Sequence, residues 1–164
     1  MARLPRFQCP GATFHVTTRG CGRCAIYRDD TDRVIWLVTL AGVLARFNWV
    51  CLVYCLMRTH YHLLVETRDE NLAAGMERLN GLYAKTFNRR HRRSGHLFGE
   101  RFNSEFVQTA GHLYEAGRYI VLNPVRAGVC ATPAEWPWTC VANDYADAFG
   151  GPAAFAEYVA EAAP

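Results

Sequence analysis

The chain has 164 residues, 51% of them hydrophobic, and a formal net charge of +3 at pH 7. This length and composition suit one compact domain with an adequate core. The longest apolar run, residues 49–57, is too short to span a bilayer, and no signal-peptide pattern opens the chain, so we expect a cytoplasmic protein with no membrane partner. Lys85 is the only lysine, and the remaining basic residues are arginines, which bind phosphate and stack on bases better than lysine does.

Four stretches of alternating or β-rich sequence predict strands. They cover residues 13–19, residues 49–57, a third segment that follows Arg58 and Thr59, and residues 101–108. Because the third segment is joined to the second by only two residues, we expect these two strands to be neighbours in the sheet.

Three stretches with apolar residues three or four positions apart predict helices. Their core stripes run from Trp36 to Phe47, from Leu72 to Phe87 and from Leu113 to Ile120. Asp29 and Asp30 are suitable for capping the first helix. The third helix should end near Asn123, because a residue that precedes a proline is disfavoured in helical backbone.

The order β-α-β-β-α-β predicts an α+β fold. It is the order of the ferredoxin-like split β-α-β unit, an antiparallel sheet with both helices on one face, here with an added C-terminal helix. We predict a basic N-terminal arm over residues 1–12, a catalytic domain over 13–128 and an irregular tail over 129–164.

Two histidines lie one residue apart inside the third predicted strand. Because side chains at i and i+2 point to the same face of a strand, His60 and His62 should lie side by side. Tyr61, Leu63 and Val65 should then point the other way, into a core. Two imidazoles so placed are half of a metal site.

The third predicted helix carries a polar stripe beside its core stripe. At 100° per residue, His112, Glu115, Tyr119 and Asn123 fall within a band of about 80°. Two imidazoles and the amide oxygen of Asn123 would leave open positions on Mg²⁺ or Mn²⁺ for a phosphate oxygen. A tyrosine beside such an ion is a candidate nucleophile on phosphorus, and His112 and Glu115 are candidate orienting residues.

These residues resemble a known family. His60-Tyr61-His62 is similar to the HUH motif (His, hydrophobic residue, His) of the IS200-type single-tyrosine transposases, and the REP-associated tyrosine transposases are the most similar branch. The resemblance spans about residues 4–138. Further matching phrases lie at residues 55–57, 87–91, 95–98, 119–120 and 122–128.

The resemblance implies an HUH-type ferredoxin-like fold and a reaction on hairpin or single-stranded DNA. Tyr119 would be the catalytic residue, giving a 5′-phosphotyrosine and a free 3′-OH, and His60, His62 and Asn123 would hold the divalent metal. No nucleotide cofactor is implied, because the phosphotyrosine conserves the bond energy for rejoining. Relatives include both monomers and dimers that exchange the third helix, so we expect a monomer or a homodimer.

Departures from the family pattern occur near the first strand. Arg19-Gly20-Cys21 stands where many relatives have Arg-Gly-Asn, and Thr59 stands where Asn or Glu is more usual. Cys21 and Cys24 form a lone CxxC, which we interpret as an incidental pair of reduced thiols.

The basic residues predict a phosphate track with a stacking surface at Phe98. The residues predicted to contact DNA are Arg3, Arg6, Arg19, Arg89, Arg90, Arg92, Arg93, His96, Arg101 and Arg126.

Three alternatives remain open from the sequence. Tyr83 is a rival nucleophile, although it falls on the core stripe of the second helix. The protein could instead be a catalytically silent regulator that binds hairpins without cutting them. A third hypothesis is a cupin-like metalloenzyme, since Glu66 shares a strand face with His60 and His62, but that fold is all-β.

Overall fold

The computed structural model describes residues 9–99 and 101–163. The strands are β1 (Ala12–Arg19), β2 (Trp49–Leu56), β3 (His60–Thr67), β4 (Asn103–Val107) and β5 (Thr139–Val141). The helices are α1 (Asp30–Phe47), α2 (Leu72–Arg90), α3 (Ala110–Arg126), α4 (Asn143–Phe149) and α5 (Pro152–Ala160). In this part of the chain, no helix combines the length and the hydrophobicity needed to cross a bilayer.

The five strands form one antiparallel sheet in the order β4-β1-β3-β2-β5. The first four strands have the split β-α-β arrangement, with β1 and β3 in the centre, so the predicted α+β fold is confirmed. The cupin-like alternative is wrong, because that fold is all-β and this chain is rich in helix.

Each face of the sheet has its own core. Trp36 of α1 and Tyr83 of α2 pack with Tyr61 on one face. On the other face, Ile120 of α3 packs with Leu64 and with Phe155 of α5. Successive residues of β3 therefore alternate between the two cores, as the sequence predicts.

Helix α3 continues past the predicted end at Asn123 and reaches Arg126, with Pro124 inside it. A proline removes one N–H and therefore one helical hydrogen bond. That loss falls in the last turn, where the backbone N–H of Ala127 still donates to the carbonyl of Asn123 at 3.0 Å. As a result, Arg126 is held on the same helix as Tyr119.

The irregular tail predicted over residues 129–164 is wrong for the part described. Strand β5 pairs with β2, and α4 and α5 pack against α3 through buried residues that include Tyr145, Phe155 and Val159. The Tyr145 hydroxyl donates to the carbonyl of Leu113 at 2.9 Å. These elements are only three to nine residues long, which is too short for a clear hydrophobic period.

Replacing Gly117 with alanine is expected to destabilise the protein by about 1–3 kcal/mol, because a Cβ there would overlap the Tyr145 ring and hydroxyl. Urea unfolding followed by circular dichroism would measure the change. Gly81 is a matched control in α2, because a Cβ there meets nothing within 4 Å. Gly81→Ala should stabilise by about 0.5–1 kcal/mol. Equal effects of the two changes would contradict the packing of α4 on α3.

Candidate functional site

The pairing of β1 with β3 sets one side of the site. In this register Thr17 lies opposite His62, and Arg19 lies opposite His60. Because directly opposed residues share a face, all four side chains belong to the face covered by α3. His62 is buried, with 4% of its surface exposed, and His60 is half-buried.

Helix α3 brings Asn123 between the two histidines. The Nε2 atom of His60 lies 3.2 Å from Oδ1 of Asn123, and the Asn123 amide nitrogen lies 3.2 Å from Nε2 of His62. Two neighbouring ligands of an octahedral ion with bonds of about 2.1 Å are separated by about 3.0 Å. The three side chains predicted as metal ligands are thus together, and the distance between Nε2 of His60 and Oδ1 of Asn123 is close to that separation.

The electrostatics of the two imidazoles favour their neutral form. Burial, followed by the neighbouring His15, His60 and Arg19, lowers the pKa of His62 to about 3. Burial and the Arg19 charge also lower the pKa of His60. A histidine binds a metal through a neutral ring nitrogen, so both rings are in the required state at neutral pH.

Among the described residues, no three His, Cys, Asp or Glu side chains cluster in a way that could hold a metal ion. The amide oxygen of Asn123, 3.2 Å from Nε2 of His60, is a candidate third protein donor for a metal at His60 and His62. All three donors are uncharged, and a phosphate oxygen at an open position would add negative charge around the ion.

Tyr119 lies next to this group in the same chain. Its ring centroid is 5.5 Å from that of His62, and the Arg126 guanidinium lies 5.5 Å from the Tyr119 ring. The side chain is 43% exposed, and its hydroxyl makes no hydrogen bond to any described residue. The tyrosine, the two histidines and the asparagine are therefore assembled without a second copy of the chain.

Tyr83 is placed quite differently. It is fully buried on the opposite face of the sheet, and its hydroxyl donates to the carbonyl of Ile26. Burial raises the pKa of the Tyr83 hydroxyl. Tyr83 is thus a core residue and is excluded as the rival nucleophile.

The two predicted orienting residues make other contacts. His112 lies 3.4 Å from Glu105, at the outer edge of the site. Glu115 accepts hydrogen bonds from Arg118 at 2.7 Å and from Tyr158 at 2.6 Å. The contacts of Glu115 join α3 to α5, so its position favours a structural role.

Two of the predicted DNA-binding residues, Arg19 and Arg101, line a cleft of about 420 Å³ together with Arg23. None of the three arginines forms an ion pair with a described residue. The cleft adjoins the histidines, because Thr17 lines it and the Thr17 hydroxyl lies 3.1 Å from Nδ1 of His62. Arg101 also lines a neighbouring pocket of about 450 Å³ with His96.

The arginines at and just after the end of α2 differ in their contacts and exposure. Arg90 forms ion pairs with Asp29 at 2.8 Å and with the buried Asp32 at 2.6 Å, so its charge is matched within the fold. Arg93 donates to the carbonyl of His96 at 3.4 Å. Arg89 and Arg92 are exposed. The remaining predicted contacts, Arg3 and Arg6, lie outside the described residues.

His15 also belongs to the site, although no sequence motif predicted it there. Its Nε2 lies 3.0 Å from Nδ1 of His62, and its ring centroid is 5.8 Å from that of Tyr119. The alternation of β1 puts His15, Thr17 and Arg19 on one face, but only the register with β3 shows that this face holds the site.

Comparison with known proteins identifies the kind of fold. A solved structure of a REP-associated tyrosine transposase bound to a REP hairpin matches with a TM-score of 0.71 and 16% sequence identity, over 85% of this chain and 82% of that chain. A structure from Deinococcus radiodurans R1 described as a transposase matches at a TM-score of 0.49 and 12% identity, over 73% of this chain and 94% of that chain, a similarity too low to support a structural conclusion. The fold is that of the tyrosine transposases.

The family follows from the sequence itself. The family model of the IS200-like transposases matches residues 9–123, which is more than half of the chain. The chain belongs to the IS200-like transposase family, as the sequence motifs predict. No curated protein sequence matches it.

Proposed function

We propose that the protein is a metal-dependent endonuclease and strand transferase that acts on single-stranded and hairpin DNA through a 5′-phosphotyrosine. The observation that carries this proposal is the position of Tyr119 beside His60, His62 and Asn123 within one chain. Membership of the IS200-like transposase family supports the reaction class. The hairpin bound to a relative with the same fold supports the substrate class.

In this proposal Mg²⁺ or Mn²⁺ is held by His60, His62 and Asn123. When bound, the ion would withdraw charge from a phosphoryl group and orient it. The amide of Asn123 lies within 3.2 Å of both imidazoles, so the three donors are already gathered in the folded chain. This arrangement lowers the conformational cost of binding the ion.

The Tyr119 oxygen would form a bond to phosphorus while the bond between phosphorus and the preceding 3′-oxygen breaks. The tyrosine gives up its proton, and the leaving 3′-oxygen gains one from solvent, so the products are a 5′-phosphotyrosine and a free 3′-OH. Attack by a 3′-OH on the phosphotyrosine reverses these bond changes and joins DNA ends without a nucleotide cofactor. The 43% exposure of Tyr119 leaves room for the strand.

The proposed DNA path runs from the histidines into the cleft formed by Arg19, Arg23 and Arg101. The exposed Arg89, Arg92 and Arg126 extend the basic surface, with further predicted contacts at Arg93 and His96. Arg90 is left out of this path, because Asp29 and Asp32 already match its charge.

Replacing Arg19 and Arg101 together with glutamine is expected to weaken binding of single-stranded DNA. The slope of the logarithm of the binding constant against the logarithm of the salt concentration (the salt slope) should fall by about one per lost phosphate contact. Fluorescence anisotropy at several salt concentrations would measure both effects. Arg78→Gln is the matched control, because Arg78 lies on the exposed side of α2, in a groove with Arg46 and Lys85. A salt slope that falls equally in the control would contradict the proposed path.

The direct test of the reaction uses labelled hairpins with single-stranded flanks, incubated with the purified protein and Mn²⁺. We expect an adduct that survives denaturation, and mass spectrometry should locate the nucleotide on Tyr119. Retained hairpin binding without cleavage in either metal would instead support the catalytically silent regulator. A protein that neither binds nor cleaves any hairpin would contradict the proposal as a whole.

A further inference from the structure

The two ring nitrogens of His62 have different partners. The Asn123 amide nitrogen lies 3.2 Å from Nε2, so Nε2 accepts a hydrogen bond and carries no proton. A neutral imidazole has one ring proton, which must then lie on Nδ1. Two groups are close enough to accept it, Nε2 of His15 at 3.0 Å and the Thr17 hydroxyl at 3.1 Å.

His15 is the better acceptor of the two. A neutral imidazole nitrogen without a proton has one lone pair that can only accept, whereas a threonine hydroxyl both donates and accepts. Nε2 of His15 lies 3.0 Å from Nδ1 of His62, which is a normal distance for a hydrogen bond between two imidazole rings. The Thr17 hydroxyl can then rotate to serve another partner without leaving the Nδ1 proton unpaired.

His15 also contacts the candidate nucleophile. Its ring meets that of Tyr119 edge to face at 5.8 Å, and it meets that of His62 at 5.2 Å. The Tyr119 ring is therefore in contact with both histidines. One side chain from β1 thus touches a proposed metal ligand from β3 and the proposed nucleophile from α3.

We propose that His15 is a positioning residue, which accepts the Nδ1 proton of His62 and so leaves Nε2 of His62 free for the metal ion. The inference rests on the proposed function, because it concerns the metal site of that reaction. A ring held by its second nitrogen keeps both its tautomer and its orientation, and partners of this kind contribute strongly to metal affinity. The packing of His15 against Tyr119 would hold the nucleophile beside the same ligand.

Three variants distinguish this role from simple packing. His15→Phe keeps a ring but removes the acceptor, and we expect it to weaken Mn²⁺ binding about 10- to 100-fold in calorimetry on DNA-free protein. His15→Gln supplies an amide oxygen as acceptor and should restore most of the affinity. Thr17→Val should have little effect. Unchanged affinity in His15→Phe, or an equal loss in Thr17→Val, would overturn the proposal.

The tautomer of His62 can be determined in the metal-free protein. Nitrogen-15 NMR of the metal-free native protein should show His62 protonated at Nδ1, and the resonance of that proton should shift more in His15→Phe, which removes its proposed acceptor, than in Thr17→Val. A proton on Nε2 of His62 in the native protein would overturn the role of His15 even if His15→Phe did not fold. Failure of the native protein to bind Mn²⁺ would instead contradict the metal dependence of the proposed function and leave the tautomer result valid.

Discussion

Replacing Tyr119 with phenylalanine is expected to abolish the covalent protein–DNA adduct while hairpin binding is retained. The change removes one oxygen, the atom that would form the bond to phosphorus, and keeps the ring that packs against His62 and His15. Loss of a nucleophile that forms a covalent intermediate costs on the order of 10³-fold or more in rate. Adduct formation should therefore fall below detection on a denaturing gel.

The fold should tolerate this change well. Tyr119 is 43% exposed, and its hydroxyl makes no hydrogen bond with the described residues, so no buried partner loses a contact. Hairpin affinity, measured by anisotropy, should stay at the native value because the cleft arginines are unchanged. The thermal melting curve of the variant provides the check on folding.

Tyr114 is the matched control on the same helix. Its hydroxyl donates to the carbonyl of Ala148 at 2.9 Å, so Tyr114→Phe removes a hydrogen bond that joins α3 to α4. The expected cost is about 1 kcal/mol of stability, with the adduct preserved. An adduct that survives in Tyr119→Phe would mean that another residue is the nucleophile.

Local sequence patterns predicted which site residues share a face of one strand or one helix. Alternation along β3 was sufficient to put His60 and His62 on one face, and helical spacing put Tyr119 and Asn123 on one stripe of α3. Both patterns depend only on backbone geometry. The structure agrees with both, since Asn123 reaches the two histidines at 3.2 Å.

Contacts between distant elements could not be predicted in the same way. His15 reaches His62 only because the register pairs Thr17 with His62, and a one-residue shift would turn His15 to the other face. Register depends on the whole sheet and on the side chains packed against it. The sequence of one strand therefore shows which side chains share a face, but not which residues of the next strand lie beside them.

Whether the charge of an arginine is paired within the fold is a second feature that sequence alone does not reveal. Arg90 lies in a basic run and was predicted to contact DNA, yet it forms ion pairs with Asp29 and the buried Asp32. These two carboxylates lie at the start of α1, far from Arg90 in the chain. Whether an arginine is available to phosphate depends on such partners, which only the fold reveals.

Replacing Asn123 with leucine is expected to weaken metal binding strongly while both histidines stay in place. Leucine has a similar size but no oxygen, so the site would keep two imidazoles and lose its third protein donor. Residues that only hold a metal ligand in place contribute about 10- to 100-fold to affinity, and loss of a ligand should cost at least as much. Mn²⁺ titration by calorimetry would measure the loss, and adduct yield should fall with it.

Asn123→Asp is the matched control, because it keeps an oxygen at the same position and adds a negative charge. Carboxylate oxygens are good ligands for Mg²⁺ and Mn²⁺, so this variant should bind the metal and form the adduct. Loss of activity in both variants would show that the amide nitrogen, 3.2 Å from Nε2 of His62, matters more than the oxygen. Native affinity and native adduct yield in Asn123→Leu would instead remove Asn123 from the metal site.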